Sequence, residues 1–257
     1  MRRAEACARA RTRPTRGHGS SRYRRALLLH TAVQEERGVD MIDRRVIVFD
    51  WDGTLADTMG GITSVAREVL LAWGMPEDGL GDLSRLVGPP FPQAYSTVYG
   101  LSDEDAAEVT RLYRIRYEQG GVREWPVFPG IPQLLEDLHH AGKLVAVASS
   151  KRHKLVVRQA GDNGILDALD AVVGKMDDDA ATKEGTIVRV IGLLEAHVEE
   201  AVMVGDRNLD VWAAANVGIP CVGVLYGKTA PRKELEEAGA VAIAETVGEL
   251  RRILIGV

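Results

Sequence analysis

Two carboxylates one residue apart, Asp50 and Asp52, follow directly on the apolar run Val46-Ile47-Val48-Phe49 and precede Gly53-Thr54. A short run of β-branched and aromatic residues reads as a buried strand. The pair therefore falls at the carboxyl end of a strand, where open α/β sheets bind their ligands. Two acids so close in an apolar setting repel each other and lose hydration, so they are costly unless a cation holds them or one keeps a proton. That cost points to nucleophilic or acid–base work by a carboxylate, or to oxygen ligation of a hard metal ion. Gly53 lets the chain turn sharply behind them. The competing use is a helix cap, because Asp before Gly-Thr also satisfies the free N–H groups of a first helical turn.

Three further places carry comparable residues. The apolar run 144–148 delivers Ser149-Ser150-Lys151, whose hydroxyls suit either a helix cap or, with the N–H groups of a helix start, a phosphate. The run 201–204 delivers Gly205-Asp206-Arg207-Asn208-Leu209-Asp210, a second acidic strand end that taken alone reads as a turn. Lys183 opens a helical stretch, where the positive end of the helix dipole disfavours it unless acids lie near.

The elements that must position these residues are legible from period. Candidate strands lie at 46–49, 144–148, 171–173, 201–204, 221–224 and 241–244, with amphipathic stretches at 130–140, 183–196, 209–216 and 231–238 between them. Short strands alternating with helices predict a doubly wound, Rossmann-like parallel sheet covered on both faces, an α/β core. The interval 59–126 breaks the alternation: it has helical patterns only, at 62–73 and from a Ser102/Asp105 capping box through Tyr117. Its junctions, Asp57-Thr58-Met59-Gly60-Gly61 and 125–130, are rich in Gly or Pro, as hinges often are. The expectation is a helical cap domain at 59–126 inserted into a core made of 41–58 and 127–257.

Composition narrows the setting. The 257 residues are 46% hydrophobic and 27% charged, within the globular range. No apolar run approaches the roughly 20 residues that cross a bilayer, so no membrane association is expected. Two cysteines, Cys7 and Cys221, make neither a disulfide framework nor a zinc cluster, which leaves the reducing cytoplasm as the default compartment. Residues 1–40 hold ten Arg against four acids, a charge of +6 that leaves −11 on the rest of a chain totalling −5. An acidic body argues against a nucleic-acid surface, which needs clustered Lys and Arg. The Arg-rich stretch has no sustained apolar period and is expected to be disordered. A transit peptide or a basic nucleic-acid arm are its other readings, and a natural start at Met41 is the favoured one.

Taken together, Asp50-x-Asp52-Gly53-Thr54, Ser149, Lys183 and Gly205-Asp206-x-x-x-Asp210 are similar, in order and spacing, to the four motifs of the haloacid dehalogenase superfamily, over residues 46–255. The helical interval resembles the cap of its C1 subclass. Gly88-Pro89-Pro90, 113–117, Val127-Phe128-Pro129-Gly130, Ser149-Ser150-Lys151 and Val224-Leu225-Tyr226-Gly227 resemble the phosphoglycolate phosphatase and bacterial 5′-nucleotidase-like branch.

The resemblance implies a Mg²⁺-dependent phosphatase of a small phosphorylated metabolite. Asp50 is then the nucleophile that forms an aspartyl-phosphate, and Asp52 the acid for the leaving group and later the base for water. Ser149, Ser150, Lys183 and the Gly53-Thr54 turn bind the phosphoryl group. Mg²⁺ is held by Asp50, the Asp52 carbonyl and Asp206, with Asp210 in the metal set or orienting Lys183. The acid at Asp52 disfavours dehalogenation. The absence of any lysine before Lys143 excludes the Schiff-base phosphonate branch, and the absence of His between His30 and His139 disfavours a mutase. Alternatives are phosphoryl transfer to another acceptor, a non-catalytic phosphate-binding module, and a receiver phosphorylated on aspartate. A monomer or homodimer is expected. Arg85, Arg111, Arg114, Arg116 and Arg123 are candidates for a second anionic group on the substrate. Trp73, Phe91, Tyr95, Tyr99, Tyr113 and Tyr117 suit core packing better than base stacking.

Overall fold

Strand β1 (Val46–Phe49) is buried along its whole length, so it needs cover on both faces, and the chain supplies it. The computed structural model describes residues 41–176 and 182–256; the reading of 1–40 as a disordered extension falls outside them. After β1 come helices α1 (Met59–Ala72), α2 (Gln93–Tyr99), α3 (Asp103–Tyr117) and α4 (Ile131–His140), then β2 (Leu144–Arg152) and α5 (His153–Asp162). The second half runs β3 (Ala171–Lys175), α6 (Lys183–Leu193), β4 (Ala201–Gly205), α7 (Asn208–Val217), β5 (Cys221–Val224), α8 (Arg232–Ala238), β6 (Ala242–Ala244) and α9 (Val247–Ile255).

The six strands form one parallel sheet in the order β3-β2-β1-β4-β5-β6. Alternation along β1 sends Ile47 and Phe49 to one face, where they pack with Leu134 and Leu135 of α4, Val156 of α5 and Ile253 of α9. Val46 and Val48 go to the other face, with Ile187 and Val190 of α6, Val211 of α7 and Leu235 of α8. The result is the expected three-layer α/β core. From β1 the chain winds outward through β2 and β3, then returns to β4 on the opposite side of β1. The carboxyl ends of β1 and β4 thus flank the switch point, where a crevice opens in a doubly wound sheet.

Between β1 and β2 the described residues form helices and 3₁₀ turns, with a hydrophobic cluster of their own that includes Val69, Leu70, Tyr95, Val109, Tyr113 and Trp125. Ser102 caps α3, its Oγ accepting from the Asp105 N–H at 3.1 Å, as the capping pattern predicts.

One element differs from expectation in a way that matters for the site. β2 does not stop at Ala148 but runs on to Arg152, with a register shift between Ala148 and Arg152 and Arg152 opposite Lys175 of β3. Gly174 makes this possible, because a Cβ there would sit 2.6 Å from the Lys151 carbonyl oxygen and from the His153 Cα. Polar residues 149–152 carry no strand-like apolar signal, so period alone ends the strand too early. α2, α5 and α9 are likewise helices that the periodicity did not single out.

Candidate active site

The Asp50 N–H donates to the Val204 carbonyl at 2.9 Å, holding the residue after β1 level with the end of β4. Trp51 turns the opposite way into the core, fully buried, with its Nε1–H donating to Gln159 Oε1 at 2.7 Å. That anchor leaves Asp50 and Asp52 on the side of the cleft. Behind them the chain doubles back, with the Gly53 N–H on the Ala56 carbonyl at 2.9 Å.

Gly53 has φ +76°, and a Cβ on it would lie 2.2 Å from Asp206 Oδ2. Both the left-handed backbone and the close approach demand glycine. Gly53→Ala is expected to cost about 3 kcal/mol and to push Asp206 from its place. Urea denaturation checks the first, and loss of cation-induced stabilisation checks the second.

Asp206 follows β4 and is buried, with Thr54 Oγ1 donating to its Oδ1 at 3.3 Å. Asp210 lies in the first turn of α7, where its Oδ2 accepts from the Arg207 N–H at 3.1 Å, and its Oδ1 is 2.8 Å from Lys183 Nζ. The same ammonium is 2.6 Å from Asp50 Oδ1. Lys183 is the first residue of α6, behind the Thr182 cap. The unfavourable dipole there is outweighed by two carboxylates.

The electrostatics follow from burial. Burial pushes the Asp50 carboxyl up to about 6; Lys183 opposes the rise and Asp210 adds to it. Burial, with Asp210 and Asp50 nearby, holds the Asp206 carboxyl well above the usual carboxylate range. Burial alone would lower Lys183, but Asp210 and Asp50 keep it charged and raise it. Asp50 and Asp210 hold Lys183 between them, and Asp206 beside them adds a third buried carboxylate to a site with one ammonium in contact with only two of the three. Asp50, Asp206 and Asp210 each offer an oxygen, and these oxygens lie within 4.8 Å of one another. An oxygen-only donor set with surplus negative charge fits a hard divalent cation.

On the other flank, Ser149 and Ser150 lie within β2 rather than at the start of a helix, which corrects that part of the sequence reading; α5 begins only at His153. Ser149 is buried, and its Oγ accepts from the Lys151 N–H at 3.3 Å. Lys151, to which the spacing assigned no role, places Nζ 2.7 Å from Asp52 Oδ1. Burial alone would lower its pKa, but Asp52 and Tyr117 raise it. The signal that could have found it was the Ser-Ser-Lys-Arg run leaving a buried strand.

A cleft joins these groups. Asp50, Asp52, Ser149, Ser150, Lys183 and Asp210 line it from the sheet side. Gly88, Pro89, Pro90, Phe91, Tyr113, Arg114 and Tyr117 line it from the helical interval. Gly53, Thr54 and Asp206 are not among the residues that line it. Of the five candidate arginines Arg114 reaches the cleft, whereas Arg111 pairs with Glu108 and Arg116 with Glu68. Arg152, Lys175 and Arg207 line it without having been foreseen. Arg207 also ties the two sides, its guanidinium donating to the Val87 carbonyl at 2.6 Å and to Glu234 Oε1 at 2.9 Å. Of the aromatic candidates, Tyr95, Tyr113 and Tyr117 are buried in the helical cluster, Phe91 meets Tyr113 edge-on with centroids 4.9 Å apart, and Phe91, Tyr113 and Tyr117 also line the cleft, whereas Trp73 is exposed. Among the described residues no helix is long and apolar enough to cross a membrane.

The sequence matches the family described as haloacid dehalogenase-like hydrolase over residues 47–224. It is 35% identical over 185 residues to a 5′-nucleotidase of Pseudomonas aeruginosa, covering 70% of this chain and 82% of that protein. It is 35% identical over 213 residues to the tyrosine-protein kinase PtkA of Mycobacterium tuberculosis, covering 82% and 72%. To a phosphoglycolate phosphatase of Vibrio vulnificus it is 30% identical over 194 residues, covering 71% and 84%. The crystal structure of a predicted phosphatase from Clostridium acetobutylicum superposes with a TM-score of 0.76 at 32% identity, covering 81% of this chain and 97% of that one.

Proposed function

Because the chain belongs to the haloacid dehalogenase-like hydrolases and is a phosphatase of that family, we propose that it hydrolyses a small phosphomonoester, of phosphoglycolate or nucleoside 5′-monophosphate type, through an aspartyl-phosphate on Asp50 with Mg²⁺ as cofactor. The observation that carries the reading is the convergence of Asp50, Asp206, Asp210 and Lys183 at the switch point, opposite Ser149 and Asp52.

Asp50 attacks phosphorus in line with the leaving oxygen, its carboxylate oxygen replacing that oxygen. Lys183 and the Ser149 hydroxyl hold the phosphoryl oxygens and offset their charge, with Ser150 beside them. Asp52 gives its proton to the leaving oxygen, then takes one from the water that releases phosphate from Asp50. Asp50, Asp206 and the Asp52 carbonyl would hold Mg²⁺, which when bound supplies charge neutralisation at the phosphoryl oxygens. Asp210, already engaged with Lys183 and the Arg207 N–H, orients Lys183. Residues 59–126 act as a cap over the core, and Arg114, Phe91 and Tyr113 bring cap side chains to the substrate.

The relatives named tyrosine-protein kinase favour one second reading, delivery of the phosphoryl group to an acceptor other than water. Phosphate release from phosphoglycolate, nucleoside 5′-monophosphates, sugar phosphates and pyridoxal phosphate, with Mg²⁺ or EDTA, tests the first reading. Turnover that needs Mg²⁺, with acid-quenched protein labelled on Asp50, supports it. No release from any ester, with phosphate passing from ATP to tyrosine, establishes the second instead.

A further inference from the structure

Asp52 is enclosed by a chain of hydrogen bonds that passes through both halves of the cleft. Lys151 Nζ donates to Asp52 Oδ1 at 2.7 Å and to the Tyr117 hydroxyl at 3.3 Å, and it sits 4.9 Å from the centroid of the Tyr117 ring. Gln159 Nε2 donates to the same hydroxyl at 3.4 Å, and Gln159 Oε1 accepts from Trp51, the neighbour of Asp52 in the chain. Trp51, Gln159 and Tyr117 are all at least 98% buried. The chain thus returns to its starting point after visiting the β1 loop, α5, the last residue of α3 and β2.

A buried ammonium with two fixed acceptors has little freedom to leave, and a carboxylate with one oxygen tied to it has little freedom to rotate. We propose that Lys151, braced by Tyr117, is a positioning residue for Asp52: it holds Oδ1, so that Oδ2 is the oxygen that meets the leaving group. This rests on the reading of Asp52 as proton donor. In that step the proton on Oδ2 passes to the leaving oxygen as its bond to phosphorus breaks, and the carboxylate left behind faces Lys151. In the second step Oδ2 takes a proton from the attacking water as the bond between phosphorus and Asp50 breaks. Tyr117 belongs to the helical interval, so this interval contributes to proton delivery as well as to substrate contact.

A proton donor matters for a poor leaving group and hardly at all for a good one. The full-length chain with Mg²⁺ is assayed on glycerol 2-phosphate, an alkyl ester, and on 4-nitrophenyl phosphate, whose leaving group needs no proton. In single turnover, Lys151→Met is expected to slow phosphorylation of Asp50 about 100-fold by the alkyl ester and under about 5-fold by the aryl ester, with substrate affinity changed less than about 3-fold, and to slow the later release of phosphate from Asp50 equally whichever ester supplied it. Lys151→Arg restores part of the loss. Tyr117→Phe, which removes only the hydroxyl, shows the same pattern at about 3- to 10-fold on the alkyl ester. Equal losses in the rate of Asp50 phosphorylation by both esters in Lys151→Met and Tyr117→Phe, or a loss mainly in substrate affinity, overturn the proposal and make Lys151 a structural or phosphate-binding residue. Asp52→Asn separates the two levels. If it discriminates between the esters and the Lys151 variants do not, only the positioning role fails; if it does not discriminate, the proton-donor reading fails and takes the positioning role with it.

Discussion

Asp50→Asn is expected to lower kcat by about 10⁴-fold or more while leaving the protein at least as stable as wild type. The amide is nearly isosteric, yet it cannot form an acyl phosphate. Its neutrality suits the place. Burial already pushes the Asp50 carboxyl up to about 6, so at about neutral pH the folded protein bears the cost of an ionised group that asparagine does not impose. Lys183 keeps Asp210 as a partner at 2.8 Å and is not stranded. Steady-state kinetics on the best ester, with urea melts of both proteins, check the two halves together. A variant that retains more than a tenth of wild-type turnover removes Asp50 from the role of nucleophile, and one that is inactive only because it unfolds makes the residue structural.

The second large effect is a stabilisation by Mg²⁺ that depends on pH. The folded-state pKa of Asp50 lies above the ordinary aspartate value of 3.8, and that of Asp206 well above it, both because burial disfavours the charged form. Between those limits the folded protein binds more protons than the unfolded chain, so these groups make it lose stability as pH rises. For Asp50 the loss is spread between pH values of about 4 and about 6 and is complete above that window. A cation held by the same oxygens competes with those protons and reverses the trend. At a concentration of about 100 times its Kd, Mg²⁺ is expected to raise Tm by about 5–10 °C at roughly pH 7.5, and by under about 2 °C near pH 5. Thermal melts with Mg²⁺ or EDTA at the two pH values measure this, with Asp206→Asn as the variant expected to lose the gain. The same rise at both pH values, or a rise that survives Asp206→Asn, places the cation elsewhere.

The residues around Asp52 show how far the chain could be read before folding. The acids and Lys183 were legible because each stands at the end of a buried run or at the opening of a helix, positions that period reveals. Gly53 follows by the same logic, since a sharp turn next to such an end demands glycine, whereas the need at Gly205, where a Cβ would lie 2.3 Å from Asp210 Cβ, shows only in the fold. Lys151 was not legible as a partner of Asp52. It lies 99 residues away and belongs to a stretch of β2 that looks polar and strand-poor, and it reaches Asp52 only because β2 bulges past Gly174. Arg207 and Val87, 120 residues apart, were equally hidden.

By itself the sequence determined the doubly wound sheet, the order of its strand ends and the acids and lysine they carry. Burial on both faces imposes continuous apolar runs, and the right-handed crossovers between parallel strands leave few ways to arrange them. Only the tertiary structure decided which of those groups meet: Lys183 between Asp50 and Asp210, Lys151 between Asp52 and Tyr117, and Arg114 in the cleft while its neighbours pair on the surface. A side chain's direction along its own element follows from backbone period. Its partner on another element depends on register, on bulges and on how the helical interval docks, which only the packing of the whole chain sets.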